Sequence, residues 1–136
     1  MSAAYWLVKS EPAVFSWDDM VKAKTTDWSG VRNPGALINM KNMKKGDRVF
    51  FYHSNEGKCV VGIVEVAKTF YADPKDEKSG LVDVKAVEKL PNEVTLATIK
   101  TDPALKDMVL VKNSRLSVQP VTAAEWARVC KLGGVK

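Results

Sequence analysis

Two runs of β-branched and aromatic residues, Arg48 to His53 and Cys59 to Phe70, stand five residues apart around Ser54-Asn55-Glu56-Gly57-Lys58. Runs of this kind bounded by polar and glycine residues read as strands, and a connector of that length joins them as a hairpin. The rest of the chain must pack on this pair. Leu81 to Leu90 reads as a third long strand, with Val82, Val84 and Ala86 partly alternating on one face, opened by a charged loop at Asp73-Pro74 and ended by Pro91. Tyr5 to Val8 reads as a first strand that Ser10-Glu11-Pro12 closes, because proline lacks an amide donor.

Helix signals lie between these runs. Ser16 and Asp19 form a capping box with Asp in place of the usual Glu, and Trp17, Met20 and Val21 recur at helical spacing, predicting a helix to about Ala23. Trp28-Ser29-Gly30-Val31-Arg32-Asn33 reads as a turn-rich loop. Asn33-Pro34 then supplies an N-cap and a first helical position for a second helix through Ala36, Leu37, Met40 and Met43. Lys44-Lys45-Gly46-Asp47 marks a turn. Thr95 and Asp102-Pro103 can each start a short helical turn, Val109 to Lys112 and Leu116 to Val118 look extended, and Thr122 with Glu125 caps a final helix. With no regular βαβ repeat, the order predicts an α+β fold: an antiparallel or mixed sheet, curled toward a barrel and flanked by short helices, as one domain over residues 1–136. A hydrophobic content of 46% fills such a core.

Lys and Arg total 21 against 16 Asp and Glu, a net charge of +5 that modestly favours anionic partners and is spread over both halves of the chain. Cys59 and Cys130 lack Cys-x-x-Cys spacing and are expected to be buried free thiols. The N-terminal residues do not resemble a secretory leader and no stretch is long and apolar enough to span a bilayer, so a cytoplasmic protein without a membrane partner is expected. Neither phosphate-cradling glycine motif is present, and no cofactor or metal is expected.

His53 is the only histidine, so a hydrolase triad or a metal site would have to be built on it alone. At the end of Phe50-Phe51-Tyr52-His53 it can meet a ligand edge or hold the following turn. Asp18, Asp19, Asp73, Asp76, Glu77 and Asp83 show no spacing that aims two carboxylates at one ion, and read as solvated acids. Of four tryptophans, Trp28 alone stands in a polar, glycine-containing loop, where it can stack on a planar base or lie as a lid over the core. Ser10, Asn33, Asn39, Ser54, Asn55, Ser114, Ser117 and Gln119 offer neutral donors and acceptors at strand ends and loops, where capping and turn roles are the commoner use. Lys41, Lys44, Lys45 and Arg48 read first as a solvated face, although such a cluster can also follow a phosphate backbone.

Taken in order, Tyr5-Trp6-Leu7-Val8-Lys9-Ser10-Glu11-Pro12, Trp28-Ser29-Gly30-Val31-Arg32-Asn33, Gly46-Asp47, Phe51-Tyr52-His53-Ser54-Asn55 and Ser114-Arg115-Leu116-Ser117-Val118-Gln119-Pro120 resemble the EVE domain family along nearly the whole chain. The resemblance implies a PUA-like pseudobarrel, related to YTH and ASCH domains, that reads a modified base without catalysis. It implies methylated or hydroxymethylated cytosine in DNA, with modified RNA as the neighbouring possibility. The residues it marks for the base pocket are Ser10, Trp28, Val31, Asn33, Asn39, Tyr52, His53, Ser54, Arg115 and Ser117, with Trp28 stacking on the base and Ser10 and Asn33 meeting its polar edge. Where the family usually has Tyr-Gln-Ala-Arg-Asn after this asparagine, the chain reads Pro34-Gly35-Ala36-Leu37-Ile38-Asn39, so an aromatic, an amide and a guanidinium are missing. A general PUA-like RNA-binding module and a His53-dependent nucleic-acid hydrolase are the alternatives.

Overall fold

The computed structural model describes residues 5–13, 15–28, 33–54, 57–113 and 116–135, and for residues 76–79 the backbone only. The strands β1 (Tyr5–Ser10), β2 (Thr25–Trp28), β3 (Arg48–His53), β4 (Cys59–Asp73), β5 (Asp76–Thr95) and β6 (Val118–Val121) form one mixed sheet in the order β2-β5-β4-β3-β1-β6. β1 and β3 run parallel, with Ser10 beside His53, and the other neighbours pair antiparallel. A parallel pair needs a long crossover. Residues 11–47 provide it, carrying α1 (Trp17–Ala23), β2 and α2 (Pro34–Asn42).

Side chains on a strand alternate between faces, and here both faces are buried. Trp6, Val8, Val49, Phe51, Val64, Val66, Val82 and Val84 point to one side, where Trp17 and Met20 of α1 and Ala36 and Met40 of α2 cover them. Leu7, Phe50, Tyr52, Val60, Ile63 and Leu90 point to the other, under Ile99 of α3 (Leu96–Thr101), Leu110 of α4 (Val109–Lys112) and Val129 of α5 (Ala123–Leu132). Trp126 fixes α5 there, its ring stacked on Phe50 at 3.8 Å and on Tyr5 at 4.6 Å.

The predicted caps are present. Ser16 and Asp19 bond each other's backbone at the start of α1, Asn33 accepts from the Ala36 N–H at the start of α2, and Thr122 with Glu125 opens α5. Each satisfies helix N–H groups that have no partner within the helix.

Elsewhere the structure departs from the sequence reading. Trp28 ends a strand rather than opening a loop: Thr25 to Trp28 pair with Lys85 to Val82, too short a run to show its own period. The charged loop after Asp73 is only Pro74-Lys75, and the strand resumes at Asp76. Pro91 does not end β5, because the register jumps from Lys89 opposite Gly62 to Val94 opposite Val60, and a bulge there leaves the proline without a ladder bond to make. Val109 to Lys112 is a helical turn, not a strand. It follows a 3₁₀ turn at Pro103–Leu105 through Met108 N–H to Leu105 C=O and Val111 N–H to Met108 C=O, and four apolar residues cannot distinguish the two periods. The last strand begins at Val118, two residues later than Leu116 suggested.

Candidate functional site

Parallel pairing sets the C-terminal ends of β1 and β3 side by side, and the Ser54 N–H donates to the Ser10 carbonyl at 2.9 Å. The Ser10 hydroxyl donates to the Phe15 carbonyl at 2.5 Å, and the Phe15 N–H to Glu11 at 2.8 Å. These bonds deliver Phe15-Ser16-Trp17 over the two strand ends. His53 then closes the arrangement, its Nε2 accepting from the Trp17 N–H at 3.0 Å. Trp17 is the first residue of α1, so the ring satisfies an amide that the helix leaves free. An accepting Nε2 places the proton of a neutral imidazole on Nδ1. Burial holds the His53 pKa below its ordinary value, against the opposing charges of Glu93 and Asp18.

Around Phe51 the rings form one cluster. Trp17 lies at 5.5 Å and Trp28 at 5.6 Å, both steeply inclined to it, with His53 at 5.8 Å and Phe15 at 6.4 Å; Phe15 also meets Trp28 edge-on at 6.3 Å. Edge-to-face contacts of this kind are favourable and orient the rings. Trp28 is only 8% exposed. A ring so covered is first a core side chain, and a base reaches its face only if the covering side chains shift.

Tyr52 belongs to the other side of the sheet. It packs with Leu7, Phe50 and Val60, and its hydroxyl is pushed up to about 12, chiefly by burial and then by the charge of Cys59. The Lys9 ammonium lies 5.9 Å over its ring and is itself lowered by burial. Successive residues of a strand face opposite ways, so Tyr52 and His53 do not line one wall.

A second polar group follows α2 and β6. Asn33 is exposed and spends its side-chain oxygen on the helix cap. Asn39 donates to the Val118 carbonyl at 2.7 Å, and the Lys9 N–H donates to the Ser117 carbonyl at 3.0 Å, which joins this group to the end of β1. Gln119, fully buried, donates to the carbonyls of Leu116 at 2.7 Å and Asn113 at 3.3 Å. Val31, Asn55, Ser114 and Arg115 lie outside the described residues. Ser10, Trp28, His53 and Ser54 are therefore brought together, Asn33, Asn39 and Ser117 form a neighbouring group, and Tyr52 stands apart.

Sequence reasoning missed Phe15, Trp17 and Phe51. The signal was present for Phe51, which shares a strand face with His53 two residues on. It also missed Asp47, a buried carboxylate that accepts from the Trp6 indole at 2.9 Å and from the Lys44 N–H at 2.9 Å. Among the described residues no group of three or more His, Cys, Asp or Glu is placed to hold a metal ion. Both cysteines are free; Cys59 is buried and Cys130 half-buried, and burial with a nearby glutamate pushes each thiol up to about 11. No described helix is long and apolar enough to cross a membrane.

The mixed sheet, its parallel β1–β3 pair and the helices over both faces define an α+β domain of the PUA-like class, a fold shared with an ASCH protein of Zymomonas mobilis at TM-score 0.66 and 12% identity. Within that class the chain belongs to the EVE domain family, whose model matches residues 4–132. It is 33% identical to human thymocyte nuclear protein 1, over 96% of this chain and 74% of that protein. The structure is similar to that of Rpa0253 from Rhodopseudomonas palustris, with TM-score 0.92 and 56% identity over 97% of this chain and 94% of that one. It is also similar to the human THYN1 protein in complex with 5-methylcytosine containing DNA, with TM-score 0.87 and 32% identity over 98% of this chain and 99% of that one.

Proposed function

We propose that this chain binds DNA carrying a modified cytosine of the 5-methyl type and performs no chemistry on it. The observation that carries the reading is the likeness, across 98% of the chain, to a human protein seen with 5-methylcytosine containing DNA. The local geometry supports it. Phe15, Trp17, Trp28 and Phe51 gather at the ends of β1 and β3 as an aromatic floor that a base would reach once the half-buried Phe15 shifts, and Ser10 and Ser54 stand at those strand ends. A base taken out of its stack costs a few kcal/mol, which aromatic contact and edge hydrogen bonds offset. The histidine argues for binding over hydrolysis. Its Nε2 already accepts from Trp17, and using it as a general base would release the start of α1.

The test is a fluorescence titration with matched oligonucleotides, one carrying 5-methylcytosine and one plain cytosine. A methyl group recognised in an apolar site is worth about 10-fold or more in affinity, and the wild-type protein is expected to show that preference. Trp28→Phe, which keeps a ring in the core, should narrow the ratio severalfold. Equal affinities of the wild type for the two oligonucleotides would defeat the reading.

A further inference from the structure

α2 carries Asn33 at its start and Lys41 in its last turn, eight residues on. At about 1.5 Å per residue that is roughly 12 Å, or three to four base-pair steps at about 3.4 Å each. Just beyond the helix, the turn with Lys44 and Lys45 is tied to β4: the Gly46 N–H donates to the Val66 carbonyl, and the Val66 N–H to the Asp47 carbonyl, both at 2.9 Å. Lys41 is held toward the same strand, its ammonium 5.5 Å over the ring of Phe70. All three lysines are exposed. The helix cannot swing freely, since Asn39 fastens it to β6.

The nearby acids are engaged elsewhere. Asp47 points inward to the Trp6 indole and the Lys44 backbone, and Glu65 is shared by Arg48 at 3.2 Å and Lys85 at 3.1 Å. Among the described residues none of the three lysines pairs with a carboxylate. The aromatic cluster lies along the same strand, where Gly62 faces the Trp17 ring and pairs with Phe51, four residues before the Val66 that ties down the lysine turn. A concentration of unneutralised ammonium groups on a fixed turn beside that cluster matches a polyanion running past both.

We propose that Lys41, Lys44 and Lys45 form a phosphate track that holds the DNA strand flanking the recognised base. The track rests on the DNA-binding reading above, and it supplies affinity and orientation without discriminating the modification. Lys68, further along β4, provides the comparison. It stands opposite Asp83, with its ammonium 4.2 Å over Tyr71, and lies outside the track.

The experiment measures the affinity of the full chain for methylated and plain duplexes from roughly 50 to 200 mM salt. Each lost phosphate contact lowers the slope of log K against log salt by about 0.9. Replacing Lys41, Lys44 and Lys45 together by Gln should flatten the slope by about 2.7 and weaken both duplexes by the same factor. Replacing all three by Arg should preserve the slope, and Lys68→Gln should leave it at the wild-type value. A triple Gln variant with the wild-type slope, or a Lys68→Gln loss equal to that of a track lysine, overturns the track alone. A wild-type protein that binds neither duplex overturns the track and the DNA-binding reading together.

Discussion

Gly62→Ala is a substitution whose sign depends on the seat of Trp17. Gly62 lies within β4, opposite Phe51 and Lys89, and its φ is not positive, so the backbone accepts alanine. With nothing in the way, replacing glycine there would stabilise by about 0.4–1 kcal/mol, because alanine restricts the unfolded chain. The added methyl, however, would stand 2.4 to 2.6 Å from three carbons of the Trp17 ring, whose residue is 4% exposed. A rigid ring cannot yield at its tip alone; the whole indole must turn, against a backbone fixed by the hydrogen bond from the Trp17 amide to His53. Overpacking of this kind costs about 1–3 kcal/mol, so the net expectation is a loss of about 1–2 kcal/mol. Over 136 residues, at about 2.1 cal/mol/K each, that lowers Tm by roughly 3–7 °C. Thermal and urea unfolding followed by circular dichroism measure it. In a Trp17→Ala background, which itself costs about 3–5 kcal/mol, the added methyl should cost nothing, giving a coupling of about 1 kcal/mol or more. A Gly62→Ala protein as stable as the wild type would show that Trp17 does not occupy this seat.

Asp47→Ala removes the acceptor of the buried Trp6 indole and of the Lys44 N–H. A buried donor left unpaired costs about 1–3 kcal/mol, and water can satisfy the exposed turn, so a loss of about 2–3 kcal/mol is expected in urea unfolding, against less than 1 kcal/mol if Asp47 were a surface acid. His53 links stability to pH. Burial depresses its folded pKa below 6.5, so the unfolded chain takes up the proton first as pH falls. The stability it contributes is complete above about 6.5 and is lost as pH drops from there toward the folded pKa. Tm measured between about pH 7.5 and 5.5 should fall less steeply in His53→Gln, which keeps an acceptor for Trp17; an unchanged profile would remove His53 from the account.

Local chemistry was the readable part of this chain. A capping box spans four residues, and Ser16-Asp19, Asn33-Pro34 and Thr122-Glu125 each declare a helix start without reference to anything distant. The long hairpin was equally plain, since Cys59–Asp73 carries enough β-branched residues to dominate its surroundings. What was hidden depends on partners far along the chain. Thr25–Trp28 is a strand only because β5 lies beside it, and Pro91 is tolerated only because the pairing with β4 slips there.

The site shows the same division, with parity as the deciding quantity. A motif such as Phe51-Tyr52-His53-Ser54 invites assigning neighbours to one pocket, yet in a strand it is residues two apart that share a surroundings. Phe51 and His53 thus join Trp17 and Trp28, whereas Tyr52 leaves for the opposite core. A sheet buried on both faces supplies no polar alternation to reveal which side is which. Ser10 illustrates the remaining gap. Its hydroxyl was assigned to a ligand edge, and in the folded chain it donates to the carbonyl of Phe15, whose ring meets Trp28 edge-on. Ser10 and His53 thus hold Phe15 and Trp17 in the ring cluster through hydrogen bonds to their backbone. On the proposed reading, Ser10 and His53 act as positioning groups for those rings, because each spends its side chain on the backbone that carries them.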